Sequence, residues 1–136
     1  MMPPATSGKF RIVRADLPGR VLVVDDEALV CWSLASGLRQ AGYLTDTAST
    51  GAEALLLARV RPHPDAVVLD SRLHDCDPSI LLRQLRGIAP SCRFVVMTTD
   101  RHDLPPAPYD ALIVRKPFDL CDVVRQVGVE VRRARQ

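Results

Sequence analysis

Short apolar runs rich in β-branched residues alternate along this chain with segments of helical spacing. Four of the runs end at polar or charged residues: 21–26 (VLVVDD), 66–70 (AVVLD), 94–98 (FVVMT) and 112–117 (LIVRKP). Such runs are typical of strands buried on both faces of a parallel sheet. A weaker run at 43–47 (YLTDT) predicts a further strand. The alternation therefore predicts a βαβ series and an α/β fold.

The first helix is predicted from spacing and from its end. Leu34, Leu38 and Ala41 recur at i, i+4 and i+7, and Trp32 lies close to that face. Gly42 then predicts the end of the helix, because glycine is favoured at the position after a helix.

Capping residues indicate where the other helices begin. Ser49 is predicted to cap a second helix that reaches about Val60. A third helix is predicted to be capped by Asp77 with Pro78 in its first turn, where the missing N–H costs nothing. A last helix is predicted from about Asp119.

The segment between Thr98 and Lys116 breaks the alternation. It contains Pro105, Pro106 and Pro108, which are not compatible with the interior of a regular helix. We therefore expect the fourth helix to be short or degenerate.

Composition limits the classes of function. The chain has 136 residues, enough for one domain, with 47% hydrophobic and 25% charged residues. A net charge of +2 is too small to indicate direct binding of nucleic acid, and no apolar run approaches the ~20 residues that span a membrane. We expect a flexible N-terminal extension at 1–19, without a signal peptide, and one domain at 20–136. The four cysteines are scattered without the spacing of a metal site or a disulfide framework, and Cys31 and Cys121 are expected to be reduced thiols of a cytoplasmic protein.

The strand ends carry the candidate chemistry. Parallel strands end at one edge of a sheet, so Asp25, Asp26 and Asp70 are predicted to converge there. Mutual repulsion between three carboxylates would raise at least one pKa, and a divalent cation such as Mg²⁺ or Mn²⁺ would relieve it. A carboxylate beside that ion could attack a phosphoryl group, with Lys116 and Thr98 supplying a positive charge and a hydroxyl donor. Each residue alone has an ordinary structural explanation, but their order at successive strand ends favours function.

Four motifs together resemble the receiver domain of two-component response regulators. They are VLVVDDE at 21–27, VVLD at 67–70, VVMT at 95–98 and KPF at 116–118, and the resemblance covers about residues 20–134. It implies a flavodoxin-like, doubly wound, five-stranded parallel sheet of strand order 2-1-3-4-5.

The resemblance also implies residue roles. Asp70 would be the phosphoacceptor, and Asp25, Asp26, Asp70 and the backbone carbonyl of Arg72 would hold Mg²⁺. Thr98 would be the switch hydroxyl that moves toward the phosphate. Lys116 would form a salt bridge to the phosphate, turned inward by a cis bond to Pro117.

Several positions depart from the family pattern. His74 and Pro78 stand where the family usually has proline and glycine. Ile113 replaces the usual aromatic partner of the switch threonine. Thr99 replaces a small residue that lines access to the acceptor, which predicts an altered lifetime of the phosphoryl group.

The first hypothesis is a stand-alone receiver, a phosphoacceptor that shows at most slow self-catalysed phosphotransfer and dephosphorylation and is not otherwise an enzyme. A sensor histidine kinase or phosphotransfer protein would donate the phosphoryl group, and a downstream protein partner would read the altered surface. The sequence ends without a helix-turn-helix pattern, so direct DNA binding is not expected. The receiver fragment of a DNA-binding regulator is an alternative, and whether the domain forms a homodimer is an open question. One alternative is a receiver-fold interaction module whose output does not depend on phosphorylation. Another is a phosphohydrolase, disfavoured because Arg72 replaces the usual second carboxylate.

Overall fold

The computed structural model describes residues 18–99 and 110–136. Within them, five strands and four helices follow one another along the chain. They are β1 (Arg20–Val24), α1 (Ala28–Gln40), β2 (Leu44–Ala48), α2 (Gly51–Ala58), β3 (Ala66–Asp70), α3 (Pro78–Ile88), β4 (Arg93–Thr98), β5 (Ala111–Arg115) and α4 (Leu120–Ala134). Most of the expected N-terminal extension, and the segment of the expected short fourth helix, lie outside the described residues.

The five strands form one parallel sheet in the order β2-β1-β3-β4-β5. This confirms the predicted α/β fold and its strand order. Val24 of β1 pairs with Leu69 of β3, and Asp70 pairs with Met97 of β4. The register therefore brings the carboxyl ends of β1, β3 and β4 to one edge.

Helices cover both faces of the sheet, and successive side chains of the central strands β1, β3 and β4 are buried alternately on one face and the other. One face packs against α2 and α3 and the other against α1 and α4. Buried residues of the first face include Leu22, Val24, Val67, Leu69, Phe94, Val96, Leu81 and Leu85. Those of the second include Val21, Val23, Val68, Val95, Met97, Leu34, Leu38 and Val127. At roughly 1.5–3 kcal/mol for each fully buried large side chain, these two layers hold the strand ends in place.

The first helix ends as predicted but shows a different face. Gly42 has a φ of +98°, the left-handed conformation that glycine adopts without strain. Leu34 and Leu38 are buried. Ala41 is exposed, so the prediction that it continues the packed face was wrong. Trp32 is 69% exposed and lies outside that face.

Two of the three other predicted helix starts are confirmed, with Asp77 and Asp119 as the caps of α3 and α4. The cap of α2 is Thr50 and not Ser49, since the Thr50 hydroxyl accepts the N–H of Glu53 at 3.1 Å. That helix ends at Ala58, short of the predicted Val60.

Buried acids at the amino edge of the sheet are paired with arginines. Asp65 accepts the backbone N–H of Arg20 at 2.9 Å and lies 3.2 Å from the Arg135 guanidinium. Glu130 lies 3.4 Å from Arg93 and 3.3 Å from Arg133. These pairs join β1, β3 and β4 to the last helix.

None of the helices in the described part of the chain combines the length and the apolar character needed to cross a bilayer.

Candidate functional site

Three carboxylates meet at the carboxyl edge of the sheet, as the strand-end pattern predicted. Asp25 and Asp26 directly follow β1, and Asp70 is the last residue of the neighbouring β3. One ligand oxygen from each lies within 4.8 Å of the others. Asp25 is 1% exposed and Asp70 is 7% exposed. The cluster is therefore largely removed from water, which makes its charges costly.

Backbone contacts fix the position of Asp25. Its N–H donates to the Ala48 carbonyl at 3.1 Å, which extends the pairing of β1 with β2 by one residue. One of its carboxylate oxygens accepts the N–H of Glu27 at 2.9 Å, at the start of α1. Its other oxygen remains directed to the Lys116 ammonium, 3.0 Å away.

Lys116 is the cation of this cluster. Its Nζ lies 3.0 Å from Asp25, 3.7 Å from Asp70 and 3.7 Å from Glu27. The Lys116–Pro117 bond is cis, as the resemblance implied, and the Lys116 N–H donates to the Thr98 carbonyl at 2.8 Å. Burial would lower the pKa of Lys116, but the hydrogen bond to Asp25 and the surrounding carboxylates raise it above its ordinary value. Lys116 therefore stays charged across the physiological range.

One ammonium does not neutralise the carboxylates. Burial, and then the charge of Asp25, raise the pKa of Asp70 to about 6. The Arg72 N–H, which Asp70 accepts at 3.3 Å, and the charge of Lys116 oppose that rise. The site therefore carries excess negative charge near neutral pH, and its oxygen ligands are of the kind that Mg²⁺ and Mn²⁺ prefer.

An open cleft of about 430 Å³ lies over the carboxylates. Its lining residues are Asp26, Glu27, Asp70, Arg72, Leu73, His74, Thr99 and Lys116. Thr98 is buried at the end of β4, next to Arg115 of β5. Ile113 is 37% exposed within β5. Arg72, Thr99 and Lys116 thus line the cleft with the carboxylates, and Thr98 and Ile113 lie on β4 and β5.

The sequence prediction underestimated His74. It was noted only as a departure from the family pattern; its side chain is 89% exposed, but its Nε2 lies 2.8 Å from an Asp26 carboxylate oxygen. The only signal in the sequence was its position four residues after Asp70, where the resembling family usually has proline.

Comparison with known proteins identifies the family to which the chain belongs. The sequence model of the family described as "Response regulator receiver domain" matches residues 21–125. The chain therefore belongs to this family, as its four motifs predicted. Receiver domains are signalling modules of two-component systems and generally not enzymes; they bind Mg²⁺ at an acidic pocket and interact with histidine kinases or phosphotransfer proteins.

Individual relatives agree with this assignment. Transcriptional regulatory protein PrrA of Mycobacterium tuberculosis is 39% identical over 119 residues, which is 84% of this chain and 50% of PrrA. Transcriptional regulatory protein PdtaR of the same species is 33% identical over 129 residues, 90% of this chain and 61% of PdtaR. The chain thus spans about half the length of the first curated relatives that it matches.

Solved structures share the fold. The receiver domain protein (CheY-like) of Methanospirillum hungatei JF-1 superposes with a TM-score of 0.75 at 19% identity, over 88% of this chain and 98% of its own. A response regulator receiver protein of Sinorhizobium medicae WSM419 gives 0.74 at 26% identity, over 86% and 97%. The match at 19% identity shows a shared fold and nothing more.

Proposed function

We propose that Asp70 accepts a phosphoryl group, with Mg²⁺ or Mn²⁺ held by Asp25, Asp26, Asp70 and the backbone carbonyl of Arg72. The observation that carries this proposal is the cluster of three carboxylate oxygens within 4.8 Å of one another, with one ammonium between Asp25 and Asp70. The raised pKa of Asp70 supports the fit, because a divalent cation would remove the repulsion that raises it.

The chemistry follows from the acceptor carboxylate. An Asp70 oxygen attacks the phosphorus of a phosphohistidine, the new O–P bond forms, the P–N bond breaks, and the imidazole of the donor leaves. A divalent cation held by these residues would neutralise negative charge at the phosphoryl oxygens. Lys116 is already within 3.7 Å of the acceptor and supplies a fixed positive charge beside the transferring group.

Thr98 and Lys116 would couple the phosphoryl group to the surface. The hydroxyl of Thr98 would donate to a phosphoryl oxygen, and the Thr98 carbonyl already accepts the Lys116 N–H at 2.8 Å. A movement at the end of β4 would therefore be transmitted to the Lys116–Pro117 bond and to the start of α4. Thr99 lines the cleft and would narrow the approach of water to the acceptor.

The partners follow from this chemistry. A sensor histidine kinase or phosphotransfer protein in the cytoplasm donates the phosphoryl group, and a downstream protein binds the altered surface. The unit that carries this function is residues 20–136. Phosphotransfer from small donors and dephosphorylation are slow reactions of the domain itself.

The test is labelling by acetyl phosphate in Mg²⁺, followed by intact mass spectrometry and by sensitivity of the product to hydroxylamine. Wild type and Asp75→Asn are expected to gain one phosphoryl group, whereas Asp70→Asn gains none. Asp75 is a matched control, because it is an exposed aspartate five residues after the acceptor. Labelling of Asp70→Asn at the wild-type rate would contradict the proposal.

A second candidate is an interaction module whose output ignores the phosphoryl group. Ile113 favours it, because this position of β5 has an exposed aliphatic side chain in place of the usual aromatic partner of the switch threonine. It predicts that the affinity for a captured partner is the same before and after phosphorylation. A clear change in that affinity would exclude it.

A further inference from the structure

His74 brings a nitrogen atom to the acidic cluster. We propose that its imidazole is a metal ligand alongside Asp26, so that this site binds Mn²⁺ more favourably, relative to Mg²⁺, than its carboxylates alone would. The inference rests on the metal site of the proposed function. Two observations support it: His74 Nε2 lies 2.8 Å from an Asp26 oxygen, and both side chains line the cleft that contains Asp70.

The spacing of the two atoms suits ligands of one ion. With metal–ligand bonds of ~2.1 Å in octahedral geometry, neighbouring ligand atoms lie about 3 Å apart. The Nε2 atom and the Asp26 oxygen are already close to that separation. The imidazole is also 89% exposed, so its ring can turn without disturbing the packed core. Little rearrangement is therefore required for both atoms to bind the same cation.

The contact without metal also indicates where the proton goes. At 2.8 Å the imidazole N–H donates to the Asp26 carboxylate. On metal binding, the neutral ring would carry its proton on Nδ1 instead, so that the Nε2 lone pair and the Asp26 oxygen could both face the ion. Mn²⁺ shares the preference of Mg²⁺ for oxygen ligands, but as a first-row transition dication it accepts an imidazole nitrogen more readily than Mg²⁺ does. The nitrogen ligand would therefore favour Mn²⁺ without strengthening Mg²⁺ binding.

A positioning role is the rival explanation. If His74 only orients the Asp26 carboxylate through a hydrogen bond, its removal would weaken the binding of both cations by the same factor. Direct ligation instead predicts a selective loss. It also predicts a nitrogen nucleus within the coordination sphere of bound Mn²⁺, which a hydrogen-bonding role would not produce.

The experiment uses the full chain and His74→Ala, with His63→Ala as the matched control. His63 is a second histidine outside the cleft, and its ring contacts the Ala58 carbonyl at 2.7 Å. Mn²⁺ binding is measured by electron paramagnetic resonance titration, Mg²⁺ binding by competition, and the ligand atoms by electron spin echo envelope modulation.

We expect His74→Ala to weaken Mn²⁺ binding about tenfold, as loss of a contact at a metal site typically does, and to change Mg²⁺ binding less than twofold. Nitrogen modulation should be present in wild type and His63→Ala and absent in His74→Ala. Wild-type Mn²⁺ without nitrogen modulation, or an equal loss for both cations, would overturn the inference. The phosphoacceptor proposal would survive that result if Asp70 is still labelled; a chain that neither binds metal nor is labelled would overturn both.

Discussion

Replacement of Asp70 by asparagine should stabilise the metal-free protein at neutral pH. The side chain has nearly the same size, but the variant removes one of three crowded negative charges. Lys116 loses its partner at 3.7 Å and keeps the closer one, Asp25, at 3.0 Å. The dominant effect is therefore relief of the repulsion and burial that raise the pKa of Asp70.

The sign and size of this change in stability follow from the raised pKa of Asp70. Asp70 ionises at an ordinary value of 3.8 in the unfolded chain and at about 6 in the folded one, so the folded state holds its proton more tightly. Between these values the stability of wild type falls as pH rises, because the folded state binds more protons than the unfolded state. At 1.36 kcal/mol per pKa unit, the full difference corresponds to about 3 kcal/mol at pH 7. Water in the open cleft screens part of the interaction, so we expect a gain of about 2–3 kcal/mol.

The assay is urea unfolding followed by far-ultraviolet circular dichroism, in EDTA, at pH 7 and below pH 4. Asp70→Asn should have a larger free energy of unfolding than wild type at pH 7. The difference should shrink as pH falls and vanish well below pH 3.8, where Asp70 is protonated in both states. A variant no more stable than wild type at pH 7 would refute the reasoning. A difference in free energy of unfolding that is the same at both pH values would also refute it.

Asp75→Asn is a control of opposite sign. The exposed Asp75 carboxylate accepts the N–H groups of Gly51 and Ala52 at the start of α2, and these bonds lower its pKa. Its contribution to stability is therefore present above pH 3.8 and is lost as pH falls through the lower folded value. The variant should be less stable than wild type at pH 7, and its deficit should still be present at pH 4.

Two further predictions test the Lys116–Asp25 ion pair and the packing around two helix glycines. Lys116→Ala leaves the buried Asp25 carboxylate without its ammonium and should cost about 2–4 kcal/mol in EDTA at pH 7, measured by urea unfolding; an unchanged midpoint would contradict the ion pair. Gly87→Ala should raise the free energy of unfolding by up to about 1 kcal/mol, because the new Cβ meets open space within α3. Gly128→Ala should lower it by about 1–3 kcal/mol, because its Cβ would lie 2.7 Å from the Tyr43 hydroxyl. Equal thermal shifts for the two variants would show that the packing around Tyr43 is not as described.

The sequence was most informative where one physical rule dominates. Strands buried on both faces must be apolar along their whole length, so β1, β3 and β4 could be recognised from runs such as Val67–Leu69. Parallel strands share a carboxyl edge, so the meeting of Asp25 and Asp70 followed from topology. Gly42 was recognisable because few residues adopt its positive φ.

Sequence reasoning failed where several choices satisfy the same rule. Ser49 and Thr50 are adjacent residues with equivalent hydroxyls, and only the backbone conformation decides that Thr50 caps α2. Trp32 is large and apolar, but the packed face of α1 is filled by Leu34 and Leu38, which leaves the indole exposed. The contact of His74 with Asp26 depends on a loop whose course no periodicity describes.

The arginine ion pairs make the amino edge of the sheet more firmly held than the carboxyl edge. Asp65 and Glu130 are held by Arg135, Arg93 and Arg133, so that end of the sheet is clamped to the last helix. At the carboxyl edge, Asp25 and Asp70 share the ammonium of Lys116, and the close partner of Asp26 is the exposed imidazole of His74. A change of charge at the carboxyl edge would therefore displace the loops there, while the amino edge of the sheet stays fixed to α4.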